Sequence, residues 1–232
     1  MPRYLTGTLT ALILGMLVGG PYVYNRHRQQ EYRNFRVVRE GVLYRSGQLS
    51  HDGLQKVIHD HQIKTVVSLR FAEGPADPAP DSAEETWCRE QGIHYLRVCA
   101  HQWAGPEGMA LLAAGAIRIM KNEDHYPVLV HCFAGCHRTG AFVAVYRMEF
   151  ENWTNAEAIA EIRQAGYSTL DDDWDVLEYL EQYRPRRLRE ISGDAEPLLP
   201  SRQDPVSLSL GGLLKKLGIQ FSVLRSQFSV HH

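Results

Sequence analysis

The stretch His131 to Gly140, His-Cys-Phe-Ala-Gly-Cys-His-Arg-Thr-Gly, set directly after the apolar run Val128-Leu129-Val130, constrains this chain more than any other feature. A buried strand, a short loop and a helix start, in that order, aim unpaired backbone N–H donors and the positive end of a helix dipole at one point. Phosphate oxygens bind well there. The same field favours negative charge on Cys132. Arg138 adds a planar fork of donors for two phosphate oxygens, a geometry that lysine does not supply. Phe133, Ala134, Gly135, Cys136 and His137 contribute the loop's amides, and Gly135 and Gly140 permit the tight turn and close packing. Thr139 can donate its hydroxyl to a leaving sulfur, and His131 can hold the loop by hydrogen bonding. The residues describe an anion cup with a nucleophile in its floor.

This stretch resembles the signature loop of the cysteine-based protein tyrosine and dual-specificity phosphatases, H-C-x-x-G-x-x-R-[S/T]-G, and matches every fixed position. Gly41-Val42-Leu43-Tyr44-Arg45-Ser46-Gly47-Gln48 is similar to the strand that opens the catalytic domain in compact bacterial members and in the atypical plant and fungal dual-specificity group. Ile63 to Arg70 is similar to the strand that the family places before its variable loop. The resemblance covers about residues 36 to 184. It implies a phosphatase in which Cys132 attacks phosphorus, the loop amides and Arg138 stabilise the equatorial oxygens, and water hydrolyses a phosphocysteine. No metal or cofactor is required.

The general acid is the departure from the pattern. The family usually supplies an aspartate on a loop about thirty residues before the cysteine, but Val98 to Glu107 holds none. Three candidates stand in its place: His101, near the expected offset; Glu107, which can equally serve as a first-turn residue of the next helix; and His137, inside the signature loop, as acid or as phosphate ligand. Histidine at that position is shared with the plant and fungal group, some of whose members resemble inositol pyrophosphate phosphatases. The resemblance therefore implies a phosphorylated protein as substrate, phosphotyrosine first, with an inositol polyphosphate or pyrophosphate as the alternative.

Other readings of the loop weigh less. Cys132, Cys136, His131 and His137 fall within seven residues without a second ligand pair at zinc-site spacing. A phosphate-binding reader without turnover would have no use for both nucleophile and clamp. Cys136 could trap an oxidised Cys132 as a disulfide, subject to the distances such a bond requires. Cys88 and Cys99 read as core cysteines.

The body reads as α/β, with a central, mostly parallel sheet of four to five strands flanked by helices. Strands fall at about 42–44, 65–69, 94–98 and 128–131, and helices at about 53–61, 83–91, 106–121, 139–149, 155–164 and 173–182. Phe71 to Ser82 is a loop whose acids, Glu73, Asp77 and Asp81, read as solvated or capping. Asp171 to Asp173 with Asp175 reads as an acidic helix start.

Residues 1–24 form a separate element. Leu5 to Tyr24 is an uncharged run long enough, at about 1.5 Å per residue, to cross a roughly 30 Å hydrocarbon core. Pro21 sits awkwardly after Gly19 and Gly20 as a cleavage site, so a transmembrane anchor is preferred to a signal peptide. Residues 25–35 read as a basic juxtamembrane linker. Arg26, Arg28, Arg33 and Arg36 place the phosphatase domain, 36–186, on the cytoplasmic side of a single-pass protein. Residues 187–232 are a tail, partly disordered or a short amphipathic helix, and Arg184, Arg186, Arg187 and Arg189 read as a solvated linker. A net charge of −2 over 232 residues gives no reason to expect nucleic acid. Nothing in the sequence sets an oligomeric state.

Overall fold

The computed structural model describes residues 13, 15–17, 19–24, 31–71, 79–98 and 102–192. The chain divides into two units, Met1–Ala195 and Glu196–His232. The second, with most of the expected tail, lies outside the described residues.

Five strands form one sheet: β1 (Arg36–Arg39), β2 (Leu43–Ser46), β3 (Thr65–Ser68), β4 (His94–Arg97) and β5 (Val128–His131), in the order β1-β2-β5-β3-β4. Only β1 runs antiparallel. This agrees with the expected mostly parallel sheet and adds the edge strand β1. Its exposed Arg-Val-Val-Arg pattern lacks the apolar run that betrays a buried strand. Side chains alternate across β5: Val128 and Val130 join one core cluster and Leu129 the other.

The helices are α1 (His51–His61), α2 (Ser82–Glu90), α3 (Pro106–Met120), α4 (His137–Phe150), α5 (Asn155–Gln164), α6 (Trp174–Gln182) and α7 (Arg186–Ser192). The cluster containing Val128 and Val130 takes in apolar residues of α3, α4, α5 and α6, and the cluster containing Leu129 those of α1 and α2, so helices cover both faces. In α4, every residue from Thr139 to Tyr146 is buried, as befits a helix crossing a core. Leu43, Val67 and Val128, all fully buried, lie under it.

Register places the site. Ser46 of β2 and Ser68 of β3 each lie level with His131 of β5, so three parallel strands end together. Clefts in open parallel sheets form beyond such carboxyl ends.

Several expectations are corrected. Asp81 stands at the N-cap position of α2 as expected, but its side chain is neither solvated nor a capping acceptor: it is buried and accepts hydrogen bonds from Ser68 Oγ, Tyr95 OH (2.8 Å) and Arg97 NH1 (2.6 Å). Asp173 precedes α6 but makes no capping bond, accepting instead from Tyr167 OH at 3.0 Å. Arg186 begins α7 and pairs with the buried Glu149 at 2.9 Å, where a solvated linker was expected. Residues 31–35, assigned to the linker, fold onto the signature loop, and Tyr32 and Phe35 pack on the Leu129 cluster. The transmembrane helix expected over 1–24 lies partly outside the described residues. Among those described, helical residues occur at 13, 15–17 and 19–24, and no helix is long and apolar enough to cross a membrane.

Candidate active site

After β5 the chain turns from Cys132 through Cys136 into α4. Cys132 is buried, and the N–H of Gly135 donates to its Sγ at 3.2 Å. The first-turn amides of α4 have no carbonyl one turn back, and the dipole's positive end lies with them. The loop's outer side is held from elsewhere. Gln48 N–H donates to Phe133 O at 2.9 Å, Asn34 Nδ2 to Ala134 O at 2.7 Å, and Arg45 NH2 to Gly135 O at 2.7 Å. A trans peptide points its N–H opposite its carbonyl. Drawing three successive carbonyls outward therefore turns the amides of Ala134, Gly135 and Cys136 inward, as the Gly135 bond to sulfur requires.

The two sequence motifs are thus one device. Gly135 has φ +78°, and a Cβ there would stand 2.4 Å from Gly47 N and 2.6 Å from Ser46 C. A Cβ on Gly47 would stand 2.8 Å from Phe133 O. The loops meet backbone to backbone only because neither residue has a side chain.

Arg45 is buried, and that burial, opposed by the charge of Glu161, lowers its pKa. Its guanidinium nevertheless puts positive potential behind the loop close to both Cys132 and Cys136. Arg138 NH1 donates to Leu69 O at 2.9 Å, with its guanidinium carbon 4.8 Å from the Phe71 ring and 5.7 Å from the Trp103 ring. Thr139 is fully buried, and its Oγ1 has no hydrogen-bond partner among the described residues, which is uncommon for a buried hydroxyl. His131 is buried with Nε2 2.7 Å from Glu84 Oε1, an ion-pair distance whose alignment falls short of a hydrogen bond.

The acid candidates separate. His137 opens α4 half-buried, its ring centroid 4.5 Å from that of Tyr167. Glu107 is an exposed first-turn residue of α3. His101 lies outside the described residues. Cys136 Sγ accepts from Asn34 Nδ2 at 3.3 Å, and burial pushes its thiol pKa up against the pull of Arg45. Cys88 is buried as expected, its thiol pushed up to about 12 by burial, while Cys99 lies outside the described residues.

Asp81, Glu84 and His131 bring donor atoms within 4.8 Å of one another. Both carboxylates already accept from neighbours: Asp81 as described, and Glu84 from Gln48 and from Tyr95 OH at 3.2 Å. With Arg97 paired to Asp81, this set fits a hydrogen-bonded network better than a cation site.

Sequence reasoning missed Asn34, Glu84 and the structural role of Arg45. The one available signal was the Tyr-Arg-Ser-Gly segment, whose arginine and glycine both touch Gly135 or its neighbours.

A mostly parallel sheet whose strands end at a loop with a buried thiol in its floor, ahead of a helix start, defines an open-sheet α/β protein. Residues 31–196 match the tyrosine phosphatase family, and the chain belongs to that family. It is 26% identical over 158 residues to the dual specificity protein phosphatase TpbA of Pseudomonas aeruginosa, covering 67% of this chain and 66% of TpbA, just under two thirds of that relative's length. The crystal structure of P. aeruginosa TpbA superposes with a TM-score of 0.54, at 26% identity over 69% of this chain and 91% of that one. The catalytic domain of the PP-IP phosphatase SIW14 of S. cerevisiae shares the fold, with a TM-score of 0.54 at 23% identity over 70% of this chain and 93% of that one. An inositol diphosphatase of Arabidopsis thaliana, DSP5, is 30% identical over 76 residues, 32% of this chain and 35% of that one.

Proposed function

We propose that this protein is a cysteine-dependent phosphatase acting on phosphate monoesters, with phosphotyrosine in proteins as its leading substrate. The observation that carries this reading is the Gly135 N–H aimed at the buried Cys132 sulfur, in a loop whose carbonyls are drawn to the far side. Sulfur attacks phosphorus in line, the phosphorus–oxygen bond of the leaving group breaks, and the amides with Arg138 hold the equatorial oxygens. Water then attacks the phosphocysteine, Thr139 donates to the departing sulfur, and inorganic phosphate leaves. Phe71 and Trp103 beside Arg138, with Phe133 at the rim, suit a phenyl ring bearing the phosphate. We assign the leaving-group proton to His137, which among the described residues is the acid candidate on the loop itself.

The second reading, an inositol polyphosphate or pyrophosphate phosphatase, is favoured by the want of an aspartate between Val98 and Glu107, since a phosphate leaving group needs less protonation. The likeness to TpbA supports the first reading, and the partial likeness to DSP5 the second. A phospho-reader without turnover would leave the buried nucleophile and the waiting Thr139 hydroxyl without a role.

The anchor remains part of the proposal. The uncharged run from Leu5 to Tyr24, with Met16, Leu17, Tyr22, Val23 and Tyr24 exposed, suits a membrane, and Arg26, Arg28, Arg33 and Arg36 after it suit a cytoplasmic catalytic domain.

The test is turnover by the full chain, its Cys132→Ser variant and its His137→Ala variant on a phosphotyrosine peptide, a phosphoserine peptide and an inositol pyrophosphate. Cys132→Ser abolishes every activity. His137→Ala impairs the tyrosyl ester far more than the pyrophosphate. Retention of turnover without Cys132 would remove the mechanism.

A further inference from the structure

We infer that Arg33 and Arg70 form a second anion subsite at the rim of the Cys132 cup, so that the preferred substrate carries another negative group beside the scissile phosphate. This rests on the phosphatase reading and narrows its substrate class.

Both guanidinium groups converge on one side chain. The carbon of Arg33 lies 4.4 Å and that of Arg70 5.3 Å from the centroid of the Phe133 ring. Phe133 follows the nucleophile directly, and its ring is 56% exposed although the preceding side chain is buried. Two guanidinium groups held over one exposed phenyl beside the Cys132 loop concentrate positive charge at its rim.

Both cations donate to neutral oxygens. Arg33 NH1 reaches Phe133 O at 3.4 Å, and the backbone carbonyl of Arg33 accepts from Gly47 N at 2.7 Å. Arg70 NH1 donates to the neutral Gln48 Oε1 at 3.1 Å. Among the described residues, neither Arg33 nor Arg70 stands within ion-pair distance of a carboxylate. Several other arginines are paired: Arg97 with Asp81 and Glu85, Arg147 with Glu151 and Glu161, and Arg186 with Glu149. Two guanidiniums sharing one ring lie within about one Debye length at physiological salt, so their repulsion is felt. A substrate anion relieves that repulsion, and arginine forks match either a carboxylate or a phosphate.

The second anion can be a flanking glutamate of a phosphotyrosine peptide or a further phosphate of an inositol pyrophosphate, and matched substrates separate the two. One pair is a phosphotyrosine peptide with glutamates flanking the tyrosine and its glutamine counterpart. The other is an inositol pyrophosphate and p-nitrophenyl phosphate. Full-length wild type is compared with Arg33→Gln, Arg70→Gln, the double variant Arg33→Gln with Arg70→Gln, and Arg70→Lys, with thermal melting to certify folding.

The expected result is a preference of about tenfold in kcat/KM for the anionic member of at least one pair, a charge-assisted contact being worth that much. The preference shrinks severalfold in either glutamine variant, is partly kept by lysine, and falls as salt rises. Equal activity on both members of both pairs in wild type, or a preference that survives loss of both arginines, would overturn the subsite. Absence of any Cys132-dependent turnover would instead overturn the phosphatase reading and take the subsite with it.

Discussion

Glu84 and His131 lie 2.7 Å apart, Oε1 to Nε2, in a nearly dry environment, and His131 immediately precedes the nucleophile. Glu84 also accepts from Gln48, whose backbone N–H holds Phe133 O. One carboxylate on α2 therefore steadies the signature loop on both sides of Cys132. Replacing Glu84 by Gln keeps the shape and removes the charge. The account predicts a fall in kcat of about tenfold with KM nearly unchanged, and a larger loss in Glu84→Ala. Steady-state kinetics on a phosphotyrosine peptide, with alkylation of Cys132 by iodoacetamide across pH, separates altered sulfur chemistry from simple unfolding.

Gly135→Ala tests the interlock of the two motifs. A Cβ there meets Gly47 N at 2.4 Å and must adopt φ +78°. The loops have to part. Misplacement of the amides by about 1 Å costs on the order of 100-fold in kcat/KM, and destabilisation exceeds about 1 kcal/mol. Kinetics and a denaturant titration read the two effects independently.

Asn34→Ala tests whether residues 31–35 belong to the catalytic unit. The side chain donates to Ala134 O and to Cys136 Sγ. Losing both bonds is expected to cost about 1–2 kcal/mol in a chemical melt and to lower kcat, because the Ala134 carbonyl is released. A linker residue would give no change in either.

The network around Asp81 predicts acid sensitivity. Burial alone would raise the Asp81 pKa, but hydrogen bonds from Ser68, Arg97 and Tyr95, with the Arg97 charge, outweigh it and hold the pKa below the usual carboxylate value. Hydrogen bonds from Arg97 and Arg89 lower that of Glu85 as well. Groups with depressed folded pKa values contribute stability that is complete above their unfolded pKa and is lost as pH falls through the folded one. Wild type should thus lose stability below about pH 4. Asp81→Asn should lose part of that dependence together with about 3 kcal/mol at neutral pH, since Arg97 loses a buried partner. Urea titrations across pH provide the measurement.

Much of this was legible in the sequence where the signal is local. Val128-Leu129-Val130 is a continuous apolar run because β5 is the middle strand of a mostly parallel sheet, and Gly140 to Tyr146 carries no charged residue because that part of α4 crosses the core. The cup followed from its own ten residues. Illegible were partners far apart in the chain: Asn34 and Arg45 reach the loop across 100 and 90 residues. Asp81 sits in a proline-rich stretch that reads as solvent-facing, yet Ser68, Tyr95 and Arg97, from two neighbouring strands, close over it. β1 escaped because an edge strand with outward arginines carries no hydrophobic period. The tail beyond Ser192 and His101 lie outside the described residues.

The central claim is that the sulfur of Cys132 takes the phosphoryl group. Rapid acid quench of the full chain turning over a phosphotyrosine peptide, followed by mass spectrometry of the peptide bearing Cys132, tests it most directly. The account predicts a phosphate adduct on that cysteine, more abundant in Thr139→Val because the departing sulfur loses its donor, and none in Cys132→Ser. Undiminished turnover in Cys132→Ser, or an adduct confined to another residue, would contradict it.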